Sequence, residues 1–257
     1  MSNQSTNIEK STRDDPQNKI RFKFSKIGCY KYFSHLDIIS ILSRAVRRAR
    51  IRVKYSEGFN PRPKMSFGPP TPLGIESRAE YGDIVLAEDL EAGEFLIRLN
   101  GALQDRSRIE KAVRIPSAVK SIMSQTDIIR YSVYLDPGRM VQEGNGPVKD
   151  STPAPEGRQK GILSILLRQV TEDGQISGGI YRLESTENGD SGSPVVLNLF
   201  GYAKILKDGD SKVFKLREFK VLLDGICDKH SIDIIKIVKE ELYIIDGRRL
   251  ITPFEAV

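Results

Sequence analysis

Ten residues in one block of the chain could do chemistry together: His35, Arg44, Arg47, Arg48, Lys54, Tyr55, Phe59, Asn60, Arg62 and Lys64. Guanidinium and ammonium groups hold phosphate oxygens, aromatic faces stack unpaired bases, and an amide such as that of Asn60 reads a base edge. Cations interleaved with Tyr55, Phe59 and Asn60 are therefore the inventory of an RNA-binding groove. His35 is the only member of the set able to exchange a proton near neutral pH, which makes it a candidate general acid or base. Between residues 20 and 80 there are thirteen Lys or Arg against four Asp or Glu, a net of +9. The whole chain carries only +6, so the remainder nets −3. A positive field this local attracts polyanions and steers their approach, which is a statement about partners rather than catalysis.

Two elements must position these groups. From Leu36 to Arg50 the spacing predicts a helix, with Leu36, Ile39, Leu42, Val46 and Ala49 forming an apolar stripe that Ile38, Ile41 and Ala45 widen. Ser34 is placed to cap it, Asp37 suits its positive first turn, and Ser40, Arg44, Arg47 and Arg48 occupy the other side. The plainer reading of those arginines is a set of solvated cations complementing the last turn of the helix. Against it stands the continuation: Arg50, Arg52 and Lys54 alternate along the next predicted strand, and Arg62 and Lys64 flank a loop. In that loop, GFNPRPKMSFGPP, prolines fix φ while glycines permit positive φ or close approach of a ligand. It is either a rigid presenting loop or a connection that needs sharp turns, and Phe59 is either a base stacker or an anchor beneath it. His35 is equally suited to a hydrogen bond with a neighbouring loop.

The order of predicted elements places these two in a larger frame. Strand (20–33, interrupted at Gly28), helix (36–50), strand (51–55), strand (65–67), strand (81–87), helix (92–103) and strand (109–115) is the pattern of a ferredoxin-like βαββαβ sandwich over 19–125, within the α+β class. Its two helices should cover one sheet face and leave the other open. A second, smaller α+β domain is expected over 126–257, with a Pro/Gly-rich loop near 136–160 and a helix at 216–227. Residues 1–18 are polar and read as a disordered tail. No apolar run is long enough to span a membrane and the amino terminus lacks a signal-peptide core, so the expected location is the cytoplasm. Cys29 and Cys227 have no partners at metal-ligand spacing, so no metal is expected, and no nucleotide or redox fingerprint implies a cofactor of its own. GDSGSP (189–194) differs by one residue from a serine-protease nucleophile motif, but neither His35 nor His230 stands in a matching context.

Several long motifs carry a resemblance: KIRFKFSKIGCYKYFSHLD (19–37), RAVRRARIRV (44–53), YSEGFNPRPKMSFGPPTPLGIES (55–77), EYGDIVL (80–86) and the ending LYIIDGRRLITPFEA (242–256). In these the chain resembles the radical-SAM-linked proteins, a bacterial domain of unknown function. That domain is fused to the carboxyl end of a cobalamin-binding radical SAM protein or encoded beside one, often near ribonuclease G or E-type genes. The resemblance implies a radical SAM partner and an RNA or ribosome-related context, with no catalytic residues to carry over. More distantly, the expected fold and loop are similar to those of CRISPR repeat-RNA-processing endoribonucleases, which is an analogy of fold. Together these readings lead us to expect a non-catalytic accessory protein that binds RNA or a ribonucleoprotein and works with a radical SAM protein; nothing points to DNA specificity. Two alternatives stand beside it. One is a subunit that docks on the radical SAM partner without touching RNA, and the other a metal-independent endoribonuclease using His35 with Arg44, Arg48 or Tyr55.

Overall fold

A computed structural model describes residues 19–103, 108–136, 164–170, 172–173, 176–186, 194–204, 212–230 and 232–257. The polar tail, nearly all of the Pro/Gly-rich loop and the GDSGS string lie outside the described residues. The first block of chain builds β1 (Lys19–Lys26), α1 (His35–Arg48), β2 (Met65–Phe67), β3 (Glu76–Val85), α2 (Ala92–Ala102) and β4 (Ile109–Ile115). Its strands lie in the order β4-β1-β3-β2, every pair antiparallel, which is the ferredoxin-like arrangement. After α3 (Ile122–Gln125), the second block adds β5 (Ile128–Asp136), a helix α4 over 164–170, β6 (Ile180–Thr186), β7 (Val195–Tyr202), α5 (Leu216–His230), β8 (Asp233–Asp246) and β9 (Arg249–Ile251). Here the order is β8-β5-β7-β6, again antiparallel, so the βαββαβ path is walked twice. β3 and β8 meet in parallel over two residue pairs, Glu76 with Val238 and Ser77 with Lys239. The result is one mixed nine-stranded sheet in an α+β fold.

Period-two alternation divides each strand between a core and the opposite face. In the first half Ile20, Phe22, Phe24 and Ile84 meet Leu42, Val46, Phe95 and Leu99 of α1 and α2. In the second, Val133, Leu135, Leu197 and Leu199 meet Leu166, Phe219 and Leu223. The opposite face is not left open, contrary to the expectation from two helices per sheet. Ala79, Tyr81, Ile122 and Leu242 form a third cluster there, and the ring of Phe254 packs 5.3 Å from that of Tyr81. The segment around α3 and the chain's last turn thus cover the junction of the halves.

Two hydrogen-bonded residue pairs are a thin join, and charges reinforce it. Three consecutive residues of β8 reach across: Lys239 to Glu80 at 3.1 Å, Glu240 to Arg78 at 3.3 Å and Glu241 to Lys23 at 2.7 Å. Arg21, fully buried, holds Asp83 at 2.8 and 3.1 Å and the Pro253 carbonyl at 2.9 Å. Four cations counted in the +9 block, Arg21, Lys23, Lys26 and Arg78, therefore act inside the fold or across its seam.

Two predicted strands end differently. β1 stops at Lys26 because Gly28, at φ +59°, turns the chain into a 3-10 turn over Gly28–Tyr32. The stretch 51–55 makes only isolated bridges, Val53 with Leu86 and Tyr55 with Pro63. Pro61 and Pro63 have no N–H to extend a ladder.

Candidate functional site

α1 begins with a capping box: the Asp37 amide donates to the Ser34 hydroxyl at 3.2 Å, and the Ser34 amide donates to the Asp37 carboxylate at 2.9 Å. The Ser34 hydroxyl also donates to that carboxylate at 2.7 Å, and this bond, together with the one from the Ser34 amide, holds the Asp37 carboxyl below its usual range. The buried face is Ile38, Leu42, Ala45 and Val46. It is rotated from the predicted stripe, and Leu36 is left 69% exposed. Leu36 and Ile39 line a cleft instead.

The other wall of that cleft is an arm made by residues 53–64. Its root is tied to β3, since the Lys54 amide donates to Val85 O at 2.9 Å and the Val85 amide to Lys64 O at 3.0 Å. Higher up, the Ser56 amide donates to Arg62 O at 2.8 Å and the Arg62 amide to the Ser56 hydroxyl at 3.0 Å. Gly58, at φ +119°, makes the tip possible. Phe59 stands there fully exposed, which rules out its role as an anchor beneath the loop.

Between α1 and the arm lies a cavity of about 570 Å³ whose polar groups come from Ser40, Ser43, Arg44, Arg47, Tyr55 and Arg62. Ser40 and Ser43 donate to the carbonyls of Leu36 and Ile39 one turn back, leaving the guanidinium groups to set the character of the site. A neighbouring cavity of about 560 Å³ shares Ile39, Ser43, Arg62 and Pro63 and continues past Lys64 to Phe67 and Asp83. Among the described residues Arg44, Arg47, Arg62 and Lys64 form no ion pair. Four uncompensated cations beside the half-exposed Tyr55 ring thus converge on one groove.

The remaining predicted residues fall elsewhere. Arg48 donates through Nε and Nη2 to Ala102 O at 3.3 and 2.8 Å, so it caps the carboxyl end of α2. Lys54 is exposed on the arm, and Asn60 is exposed beside Phe59 at its tip, outside both cavities. His35 opens α1 with its ring edge-on to Phe67 at 5.4 Å. Burial pushes its imidazole below the ordinary histidine value; Glu80 opposes this, while Lys239 and Lys26 add to it. Beneath it sits a buried network that the sequence did not reveal. Lys239 donates to Pro69 O at 2.6 Å and to Glu80 at 3.1 Å, Thr71 donates to the same Glu80 oxygen, and Lys26 donates to Thr71 O at 3.2 Å. These contacts to the Pro69 and Thr71 carbonyls tie the start of the GPPTPLG loop to the two lysines, while Pro70 and Pro72 stay exposed. Burial lowers the Lys26 ammonium's pKa, Glu80 opposes that, and Lys239 adds to it.

The described residues contain no cluster of three or more His, Cys, Asp or Glu able to hold a metal ion, and no helix among them is long and apolar enough to cross a membrane.

Residues 19–168 match a family described as an uncharacterized protein conserved in bacteria (DUF2344). The match covers 150 of 257 residues, including α1, the arm and the whole first half of the sheet. The chain belongs to this family. No curated protein matches it.

Proposed function

We propose that this member of the family is a non-catalytic RNA-binding protein that receives a single strand in the groove between α1 and the arm. The observation that carries the reading is the convergence there of Arg44, Arg47, Arg62 and Lys64, free of carboxylate partners among the described residues, with the half-exposed Tyr55 ring lining the groove and the Phe59 ring bare at the tip of the arm. Phosphates need several cations at the spacing of a backbone, and unstacked bases need flat faces; the groove and the arm supply both. A radical SAM partner, implied by the resemblance of the motifs at 19–37 and 44–77, belongs to the same proposal: this protein holds the RNA and the partner performs the chemistry. His35 supports the non-catalytic reading because it packs on Phe67 and does not line the cavity that holds Arg44.

The test is binding of bulk cellular RNA and of a short single-stranded RNA at two salt concentrations, beside an Arg44/Arg47/Arg62 triple-alanine variant. Wild-type affinity should fall steeply with salt. The triple variant should bind more weakly, with a log–log salt slope smaller by about 2, since each lost single-strand phosphate contact removes about 0.7. A protein that ignores RNA at both salts, yet co-purifies with a radical SAM protein after nuclease treatment, would replace this reading with protein docking.

A further inference from the structure

Arg44 lines two cavities, one on each side of α1. The first is the groove described above. The second, about 410 Å³, lies toward the carboxyl end of α2 and is walled by Tyr30, Phe33, Ile41 and Leu103, with Arg44 and Arg48 completing it. Its aromatic wall is preset: the Tyr30 and Phe33 rings meet edge to face, 5.0 Å apart, and the 3-10 turn that carries Tyr30 is closed by the Phe33 amide donating to Tyr30 O at 3.0 Å. Arg48 is also preset, because its two bonds to Ala102 O fix the plane of the guanidinium and leave Nη1 without a partner among the described residues.

We infer that this second cavity takes one unpaired base of the strand whose backbone lies in the groove, with Arg44 on the phosphate that links the two positions. The inference rests on the RNA reading and adds to it a site for a base. The chemistry is that of a splayed-out nucleotide: an apolar wall of Phe33, Ile41 and Leu103 backed by the buried Tyr30, a fixed guanidinium for acceptors on its edge, and the exposed Arg44 cation on its phosphate. The volume lies within the range of clefts that enclose small ligands. Because a base must leave its stack to enter, single strands should bind in preference to duplex.

Leu103 is half-buried at the end of α2, so Leu103→Trp fills the cavity from its wall without removing a cation. The experiment compares wild type and this variant for binding of fluorescent single-stranded octaribonucleotides at two salt concentrations. It also follows the emission of 2-aminopurine placed at successive positions of the same octamers. We expect Leu103→Trp to weaken binding about tenfold, the ~1.4 kcal/mol of one stacked base, with an unchanged salt slope. A 2-aminopurine signal at one position should change on binding to wild type and not to the variant. Salt-sensitive binding that is equally tight in both proteins, with no variant-dependent 2-aminopurine signal, overturns the base site and leaves the groove standing. Absence of wild-type binding overturns both. Should the variant not fold, an unchanged 2-aminopurine signal at every position of wild-type complexes is the overturning result.

Discussion

The two halves of the sheet share a strand order and part company in what their charges do. α1 carries Arg44, Arg47 and Arg48 against Asp37, and the capping box already occupies that carboxylate. α5 carries Arg217, Lys220 and Lys229 against Glu218, Asp224 and Asp228, and it neutralises itself: Lys220 meets Asp224 at 2.7 Å, and Lys215, just before the helix, meets Glu218 at 2.8 Å. The charged lining of the cavity beside α5 is Asp224, Asp228 and Asp233 with Lys220 and Lys236. There burial and those carboxylates push the Cys227 thiol up to about 11. One packing feature, by contrast, recurs in both halves, with the ring supplied by β1 in the first and by the segment before α5 in the second. Each keeps a glycine on its third strand beneath a phenylalanine ring, Gly82 under Phe22 and Gly201 under Phe214, where a Cβ would collide. One topology thus supports an open cationic groove in one half and an internally paired helix in the other, so the halves differ in their side chains and not in their fold.

The comparison depends on separating cations that hold the seam from cations that face outward, and the largest expected effect tests that separation. Glu80→Gln would leave Lys26 and Lys239 buried without a full counter-charge. Stripping one partner from such a cluster costs about 3–5 kcal/mol. Urea unfolding should show a loss of that size, whereas a loss under 1 kcal/mol would mean that the seam does not depend on this network and that its lysines belong with the solvated ones. Arg44→Ala, at an exposed position without an ion pair among the described residues, serves as the reference and should change stability by less than about 0.5 kcal/mol.

The sequence was most legible where periodicity and local chemistry agree. α1, its Ser34 and Asp37 cap, α2 and β4 fall within a residue or two of where the spacing put them, because those signals are local. The doubled βαββαβ path was only half visible, since the helix at 164–170 follows a long polar stretch and shares no residue-level motif with α1. Of the predicted site residues, Arg44, Arg47, Tyr55, Arg62 and Lys64 share a groove, whereas Arg48 turns to α2. Nothing in RAVRRAR distinguishes Arg47 from Arg48; the distinction comes from the carboxyl end of α2, 54 residues away. Net charge could not separate the internal cations from the outward-facing ones for the same reason. The partners of Lys23, Arg78 and Lys239 lie about 160 to 220 residues distant along the chain, beyond any window.

His35 gives a smaller effect with a definite sign. Its folded value lies below the ordinary 6.5, so the unfolded chain binds the proton more tightly. The neutral ring's contribution is complete above about pH 6.5 and is lost as pH falls through the folded value. The stability advantage of wild type over His35→Gln should therefore shrink between pH 7.5 and pH 5 in thermal or urea unfolding. An advantage that grew on acidification would mean that the ring is held as a cation by Glu80, and would add His35 to the positive surface of the first half.

The smallest effect concerns the end of α1. Arg50 is the only non-glycine residue at positive φ among the described residues, at +54°, and it sits where a helix commonly ends on glycine. The Arg50 amide donates to Arg47 O at 3.1 Å and the Ile51 amide to Val46 O at 3.2 Å, which closes the helix with both bonds of a Schellman motif. Arg98 of α2 secures the same end by donating to Ala49 O at 3.1 Å and Arg50 O at 2.6 Å. Since those contacts use the backbone, Arg50→Gly keeps all of them and relieves the left-handed strain, a gain of up to about 1 kcal/mol set against the greater freedom of glycine in the unfolded chain. A variant that is more stable yet binds RNA as wild type does would show that the arginine is idle. One that is more stable but binds more weakly, with a shallower salt slope, would show that the first half keeps a strained residue for its charge, a choice with no counterpart among the described residues of the second half.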